Sequence, residues 1–155
     1  MTTAYRETVL AALQGKLDDI VTDNTRTWAQ TVAPRVVRVK QNAEALPLVP
    51  TCYMGTKDEA IDRREATSNY LLYNRTLTVL LEYYVQAWDV DLACSDIVHD
   101  VELALADWRL GGAVDDMAIT AERTLMGEPG QPLCGVEFTV VVRYRTSSAS
   151  PSTRL

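Results

Sequence analysis

The chain is poor in the residues that build metal centres and nucleophilic active sites. It has one histidine, His99, and three cysteines, Cys52, Cys94 and Cys134, about forty residues apart. With no CxxC pair and no histidine cluster, a tetrahedral zinc site lacks ligands, and an odd, dispersed cysteine set does not make a disulfide framework. The thiols are therefore expected to be reduced and mostly buried. Together with the lack of an N-terminal apolar signal segment, this points to assembly in a reducing cytoplasm. Long apolar runs are also missing. The stretch Leu77 to Trp88 is interrupted by Thr78, Glu82 and Gln86 and falls short of the roughly 20 residues that span a bilayer as a helix, so no membrane partner is expected. Positive charge is in deficit, with 15 Lys plus Arg against 21 Asp plus Glu and a net charge of −6, which disfavours a general binder of nucleic acid or anionic lipid. The seven glycines make no phosphate loop. Leu110-Gly111-Gly112-Ala113 lacks the P-loop spacing and its Lys-Ser/Thr, and it follows a helical pattern, as a helix-terminating turn in the left-handed region would.

What is present is an ordinary globular composition. The chain has 155 residues, 47% hydrophobic and 23% charged, enough for one core. A single domain is expected over residues 1–146. The Ser/Thr-rich stretch 147–155 buries too little apolar surface to offset ordering and is expected to be a flexible tail. Tyr5, Val9, Leu13, Leu17 and Ile20 recur at helical spacing and predict an amphipathic helix from Thr3 to about Val21, ended by the turn formers Thr22 to Thr25. Val36, Val37 and Val39 predict a short edge strand, and Leu46 to Met54 a second whose two prolines confine it to an edge or a strand start. Gly55 to Asn74 is mixed in charge and reads as a long surface excursion, a length often tied to function.

Two strands carry the clearest alternation. Leu77, Val79, Leu81, Tyr83 and Val85 occupy one face of the first. Val136, Phe138, Val140, Val142 and Tyr144 occupy one face of the last, opposite Glu137, Arg143 and Arg145. Between them, Ile97, Val101, Leu105 and Trp108 predict a second helix from Asp91 to Trp108, capped near Asp89 or Asp91. Met117, Ile119 and Ala121 predict a further strand. The fold class expected is α+β, a mainly antiparallel sheet of four to five strands with two helices packed on one face.

Candidate chemistry is sparse. Asp96, His99 and Glu102 form a helical row that could touch a cation, but a metal site would need ligands from other elements. Ser95 lies one turn before His99 without a nucleophile elbow or an oxyanion hole. For Trp28, Trp88 and Trp108 the readings are core packing or interface anchoring. No catalytic residue, cofactor or metal is expected. Charge distribution says more: from Thr76 to Asp116 there is one basic residue, Arg109, against nine acidic ones. An acidic helix face bearing Asp96, Asp100 and Asp107 and a strand displaying Arg143 and Arg145 could meet head to tail in neighbouring copies, the contact that closes a ring.

Several segments together resemble the tail-terminator, or tail-completion, proteins of long-tailed bacteriophages. They are the helix Tyr5 to Ile20, the strand start Leu46-Pro47-Leu48-Val49, the opening Arg75-Thr76-Leu77-Thr78-Val79 and the helix Asp91 to Trp108. The turn Leu110-Gly111-Gly112-Ala113-Val114-Asp115 and the closing Phe138 to Thr146, which ends in Tyr-Arg-Thr, complete the pattern over residues 4–146. The resemblance implies a structural virion protein assembled in the host cytoplasm. A ring of itself, six copies, would cap the head-proximal end of the tail tube, stop its polymerisation and join a head–tail connector or neck protein. DNA would pass through the channel without specific binding. The 55–74 excursion would then contact the tube protein or the neck through Lys57, Asp58, Glu59, Asp62, Arg63, Arg64 and Glu65, with Arg63 and Arg64 as ion-pair donors. The excursion is longer and more charged than the resemblance requires, and the Ser/Thr-rich end has no counterpart in it. The alternatives are another ring of the neck or tail tube, and a small enzyme or ligand-binding domain whose polar groups would be Tyr53, Tyr83, His99 and Cys94.

Overall fold

The computed structural model describes residues 4–20, 35–38, 50–65, 70–87, 89–126, 133–148 and 153–155. Two helices and five strands follow in the order α1 (Tyr5–Asp18), β1 (Arg35–Val37), β2 (Thr51–Glu65), β3 (Leu71–Gln86), α2 (Val90–Ala104), β4 (Asp116–Met126) and β5 (Leu133–Ser147), with a short 3₁₀ turn at Leu110–Gly112. The strands form one sheet in the order β1-β2-β3-β5-β4. β1 runs parallel to β2 over Thr51 to Tyr53, and the other pairings are antiparallel. The fold is α+β.

The alternation of apolar residues sets which face is buried, because successive strand side chains point to opposite sides. Leu77, Val79, Leu81, Tyr83 and Val85 of β3 and Val136, Phe138, Val140, Val142 and Tyr144 of β5 are all buried. They share one core with Val9, Leu10, Leu13 and Leu17 of α1 and Ala93, Ile97 and Val101 of α2. Both helices therefore cover the same face. α2 starts where a carboxylate can satisfy a free amide: Asp89 accepts from the Leu92 N–H at 3.1 Å, an N-cap that also suits the positive end of the helix dipole.

Several boundaries differ from expectation. Leu46 to Val49 lie outside the described residues, as do the turn formers Thr22 to Thr25, Val39, Trp28 and Trp88, and β2 begins at Thr51. α2 ends at Ala104, so Trp108 is not on its buried stripe and is 52% exposed, with the Arg109 guanidinium 5.2 Å from its ring. Leu110, Gly111 and Gly112 have φ of 48°, 67° and 90°, so the left-handed backbone expected here serves a separate turn and not the end of α2. The Asp107 carboxylate stabilises that turn, accepting from the N–H groups of Gly111 at 2.6 Å and Arg109 at 3.2 Å. The Gly111 hydrogen bond, with that of Arg109 and the nearby Lys16, holds the Asp107 pKa below the ordinary carboxylate range despite some desolvation.

β4 carries an irregularity between Ile119 and Ala121. An extra strand residue reverses which parity faces the core. Met117 and Ile119 face the helices, and beyond the bulge Glu122 and Thr124 take that side while Ala121 is exposed, against the alternation expected through Ala121. The chain end also departs from a free tail. Ser147 is the last residue of β5 and is buried, and Ser148 hydrogen-bonds Leu71. Arg154 returns to pair with Thr146.

Candidate functional site

The stretch expected as a surface excursion, residues 55–74, is a correction: over its described residues it is two antiparallel strands. β2 and β3 have 15 and 16 residues, about 50 Å at ~3.3 Å per residue. Fully buried side chains on β3 begin at Leu77, while Leu71 to Thr76 continue the strand beyond the core. β5 follows as far as Ser147, paired with Leu72, so this part of the sheet is three strands wide almost to its tip. The register of β2 shifts between Thr56 and Asp58, which makes Lys57 a bulge residue. The bulge turns Glu59, Ile61 and Arg63 toward the helix-bearing side in line with Cys52 and Met54.

The bulge decides what Glu59 does. Its carboxylate accepts a hydrogen bond from the Tyr144 hydroxyl and another from Arg75 Nη1 at 3.3 Å, while Arg75 Nε donates to Thr146 Oγ1 at 2.9 Å. Burial, reinforced by that hydrogen bond and by the negative charge of Glu59, pushes the Tyr144 phenol upward and keeps it a proton donor. The Tyr5 ring lies 5.7 Å from that of Tyr144, and the Tyr5 hydroxyl donates to Ala113 O at 2.7 Å. Glu59 thus anchors the arm to the core and is not a free contact residue. Lys57, Asp58, Asp62 and Arg63 are exposed along β2; Arg64 and Glu65 are its last residues, their side chains outside the described set.

The five residues assigned to complementary flanks do not form two flat faces. Asp100 is 5% exposed, Asp96 is half-buried on α2, and Asp107 caps its own turn while lying 3.7 Å from Lys16. Arg143 and Arg145 are on the opposite side of the sheet from the helices. Arg143 is 3.8 Å from Asp116, and Arg145 donates to both oxygens of Asp115 at 3.1 and 3.3 Å. The buried Asp100 and the Arg145 clamped on Asp115 are not available to a neighbour, whereas the side chains of Arg143 and Asp107, 65% and 42% exposed, are.

Nothing local in the sequence links Asp115 to Arg154, 39 positions away. Arg154 donates to Asp115 Oδ1 at 2.7 Å and to Gly112 O. Burial opposes ionisation of Asp115, but hydrogen bonds and charge from Arg145 and Arg154 outweigh it and hold its pKa below the usual range. A depressed carboxylate pKa stabilises the fold above the unfolded value, and that contribution is lost as pH falls through the folded value. Below about pH 4, where free aspartate titrates, stability should fall less steeply in Asp115→Asn than in the parent. Denaturation midpoints measured between neutral and acid pH check this, and equal acid slopes would refute the role of the clamp.

The groups named for a ligand-binding alternative do not converge. Tyr83 is buried in the core, and Tyr53 lies on the other face of the sheet with its ring 6.0 Å from that of Tyr84. Cys94 and His99 do line one open groove of about 660 Å³ between α2 and β4, together with Ser95, Glu102, Glu122 and Arg123. Ser95 donates its hydroxyl to Asp91 O at 3.0 Å, within its own helix. All three cysteines are free and buried. Burial pushes Cys52 up to about 12 and Cys134 up to about 11 and raises Cys94 as well, so the thiols stay protonated and weakly nucleophilic. Among the described residues no group of three or more His, Cys, Asp or Glu side chains is arranged to hold a metal ion, and no helix is long and apolar enough to cross a membrane.

The remaining surface feature is the bare side of the sheet. Thr78, Leu80, Glu82 and Tyr84 of β3 and Glu137, Thr139 and Val141 of β5 are half-buried there, with no helix above them among the described residues. Glu82 and Glu137 are direct cross-strand partners, an arrangement that costs stability unless relieved. Tyr84 donates its hydroxyl to Glu82 at 3.0 Å, and Arg123 pairs with Glu137 at 3.1 Å. The chain matches no protein-family model, and no curated protein was found to match its sequence.

Proposed function

We propose that this protein is a structural virion subunit of the tail-terminator type. It acts by assembling into a ring, six copies in the resemblance, that caps the head-proximal end of a tail tube and joins it to the neck. The observation that carries this reading is the two-sidedness of the sheet among the described residues, with both helices on one face and a face of mixed polarity on the other. A curved wall needs such an asymmetry, with helices outside and the bare face toward an opening. On that face Glu82 and Glu137 oppose each other and Arg123, Arg143 and Arg145 each lie beside a carboxylate, which in a chain of net charge −6 suits a passage that lets DNA through, because retention needs an uncompensated basic groove. The projecting β2–β3 arm supplies an axial element for the tube or neck, with Lys57, Asp58, Asp62 and Arg63 as its exposed charges.

The groove lined by Cys94 and His99 supports a second reading, a ligand-binding domain. Electron microscopy separates the two. Added to purified, uncapped tail tubes, the protein is expected to appear as a ring at one end and to halt further growth on addition of tube subunits. Tubes that stay bare and keep growing would overturn the terminator reading.

A further inference from the structure

The two outer edges of the antiparallel part of the sheet are open in a matched way. β1 covers β2 only over Thr51 to Tyr53, so from Met54 to Glu65 β2 has no strand on its outer side among the described residues. β4, 11 residues long, likewise has β5 as its one partner.

The hydrogen-bonding phase of both edges follows from the register. Leu71 accepts from the Ser148 N–H at 2.9 Å and donates its own N–H to Ser148 Oγ, so odd-numbered residues of β3 face β5 and even-numbered ones face β2. Their partners Asp58, Ala60 and Asp62 turn inward, which leaves Glu59, Ile61 and Arg63 with outward N–H and C=O groups. On β5, Arg143 and Arg145 accept from Asp115 and Leu155 on the other side. Their odd-numbered companions therefore bond inward to Ala118, Ala121 and Arg123, and Met117, Ile119, Glu122 and Thr124 of β4 point outward. On both edges the outward-bonding residues carry their side chains on the helix-bearing side.

β2, β3, β5 and β4 are four strands of alternating direction. With an even number, β4 of one copy runs antiparallel to β2 of a copy related by rotation about a ring axis, and the pleat returns in phase. The side chains are compatible in either of two registers: with Ile61, 52% exposed, opposite the half-buried Ile119, or with Arg63 opposite the exposed Glu122. Open edges are aggregation hazards unless something covers them; here a second copy can.

We propose that copies of this chain join edge to edge, the outer edge of β4 in one copy pairing antiparallel with the 58–65 stretch of β2 in the next, so that the sheet runs unbroken around the ring. This rests on the ring reading above and names the surface that closes it. The test uses Ile61→Pro and Glu122→Pro, each of which removes one outward N–H and no bond to β3 or β5. Arg63→Pro is a second block on β2 should Ile61→Pro fail to fold. Native mass spectrometry and circular dichroism are read on the full chain. The parent is expected to give rings of one size, and each variant alone a folded monomer. An equimolar mixture should give dimers and nothing larger, because each variant keeps one intact edge of opposite kind. Variants that form rings like the parent would overturn edge pairing and leave the ring reading standing. A parent that stays monomeric, both alone and at tube ends, would overturn the ring reading itself.

Discussion

Gly135→Ala is expected to lower stability by about 3 kcal/mol, whereas Gly55→Ala, on the neighbouring part of the same sheet, should change it by less than ~0.5 kcal/mol. A Cβ at position 135 would lie 2.5 Å from Tyr83 O and 3.0 Å from Tyr84 Cδ1, while one at position 55 meets nothing within 4 Å. The Tyr83 carbonyl is backbone on β3, an inner strand of the sheet, and cannot move without disturbing the pairing of Tyr83 with Val136 of β5. Space decides here and not backbone conformation, since Gly135 needs no left-handed φ. The Tyr83 ring is buried, so a shift of its backbone would also reach the core. Chemical denaturation of the two variants beside the parent reads the difference, and equal midpoints would show that β5 gives way at little cost.

Glu59→Ala should cost about 3 kcal/mol, because it strands two partners at once. The Tyr144 phenol is 2% exposed, and the Arg75 and Glu59 side chains are 21% and 13% exposed, so water cannot readily replace the lost carboxylate. Glu59→Gln keeps an acceptor for the phenol and should cost roughly half as much. Removing the far more exposed partner in Arg123–Glu137, by Arg123→Ala, should cost under ~1 kcal/mol. A double-mutant cycle over Glu59→Ala and Tyr144→Phe should return a coupling of at least ~0.5 kcal/mol. Additive losses would mean that the arm is held by its strand ladder alone. Since Glu59 ties the arm to the core, the alanine variant should also weaken whatever axial contact the arm makes.

These two expectations show where sequence reasoning worked and where it ended. The alternation through Leu77 to Val85 and through Val136 to Tyr144 is a strictly local signal, and it correctly identified the buried faces of both long strands. The stripe Val9, Leu13, Leu17 and Ile20 did the same for α1, and Asp89 for the start of α2. Gly55 to Asn74 misled because its charges fall in runs, Lys57 to Glu59 and Asp62 to Glu65, that carry no apolar period. A strand that projects beyond its core does not need one, since its backbone hydrogen bonds come from β3. The charges of β2 were visible but not their partners: that Glu59 meets Tyr144 depends on a one-residue bulge at Lys57. The extent of α2 was overestimated because Trp108 fits a helical period, although the chain leaves the helix after Ala104 to enter the glycine turn. Asp100 was placed on an acidic helix face open to a neighbouring copy, yet its position on α2 turns it inward.

The amino-acid order by itself determined the fold class, the sides of β3 and β5 that enter the core and the scarcity of histidine and cysteine, because periodicity and residue type are properties of neighbouring positions. Tertiary structure alone decided which charges are spent inside the molecule, where Asp115 is clamped by Arg145 and Arg154 and Glu59 by Tyr144 and Arg75, and which strand edges are open among the described residues. Those outcomes depend on register between strands far apart in the chain, and a shift of one residue, as at Lys57 or Thr120, moves every later side chain to the opposite face.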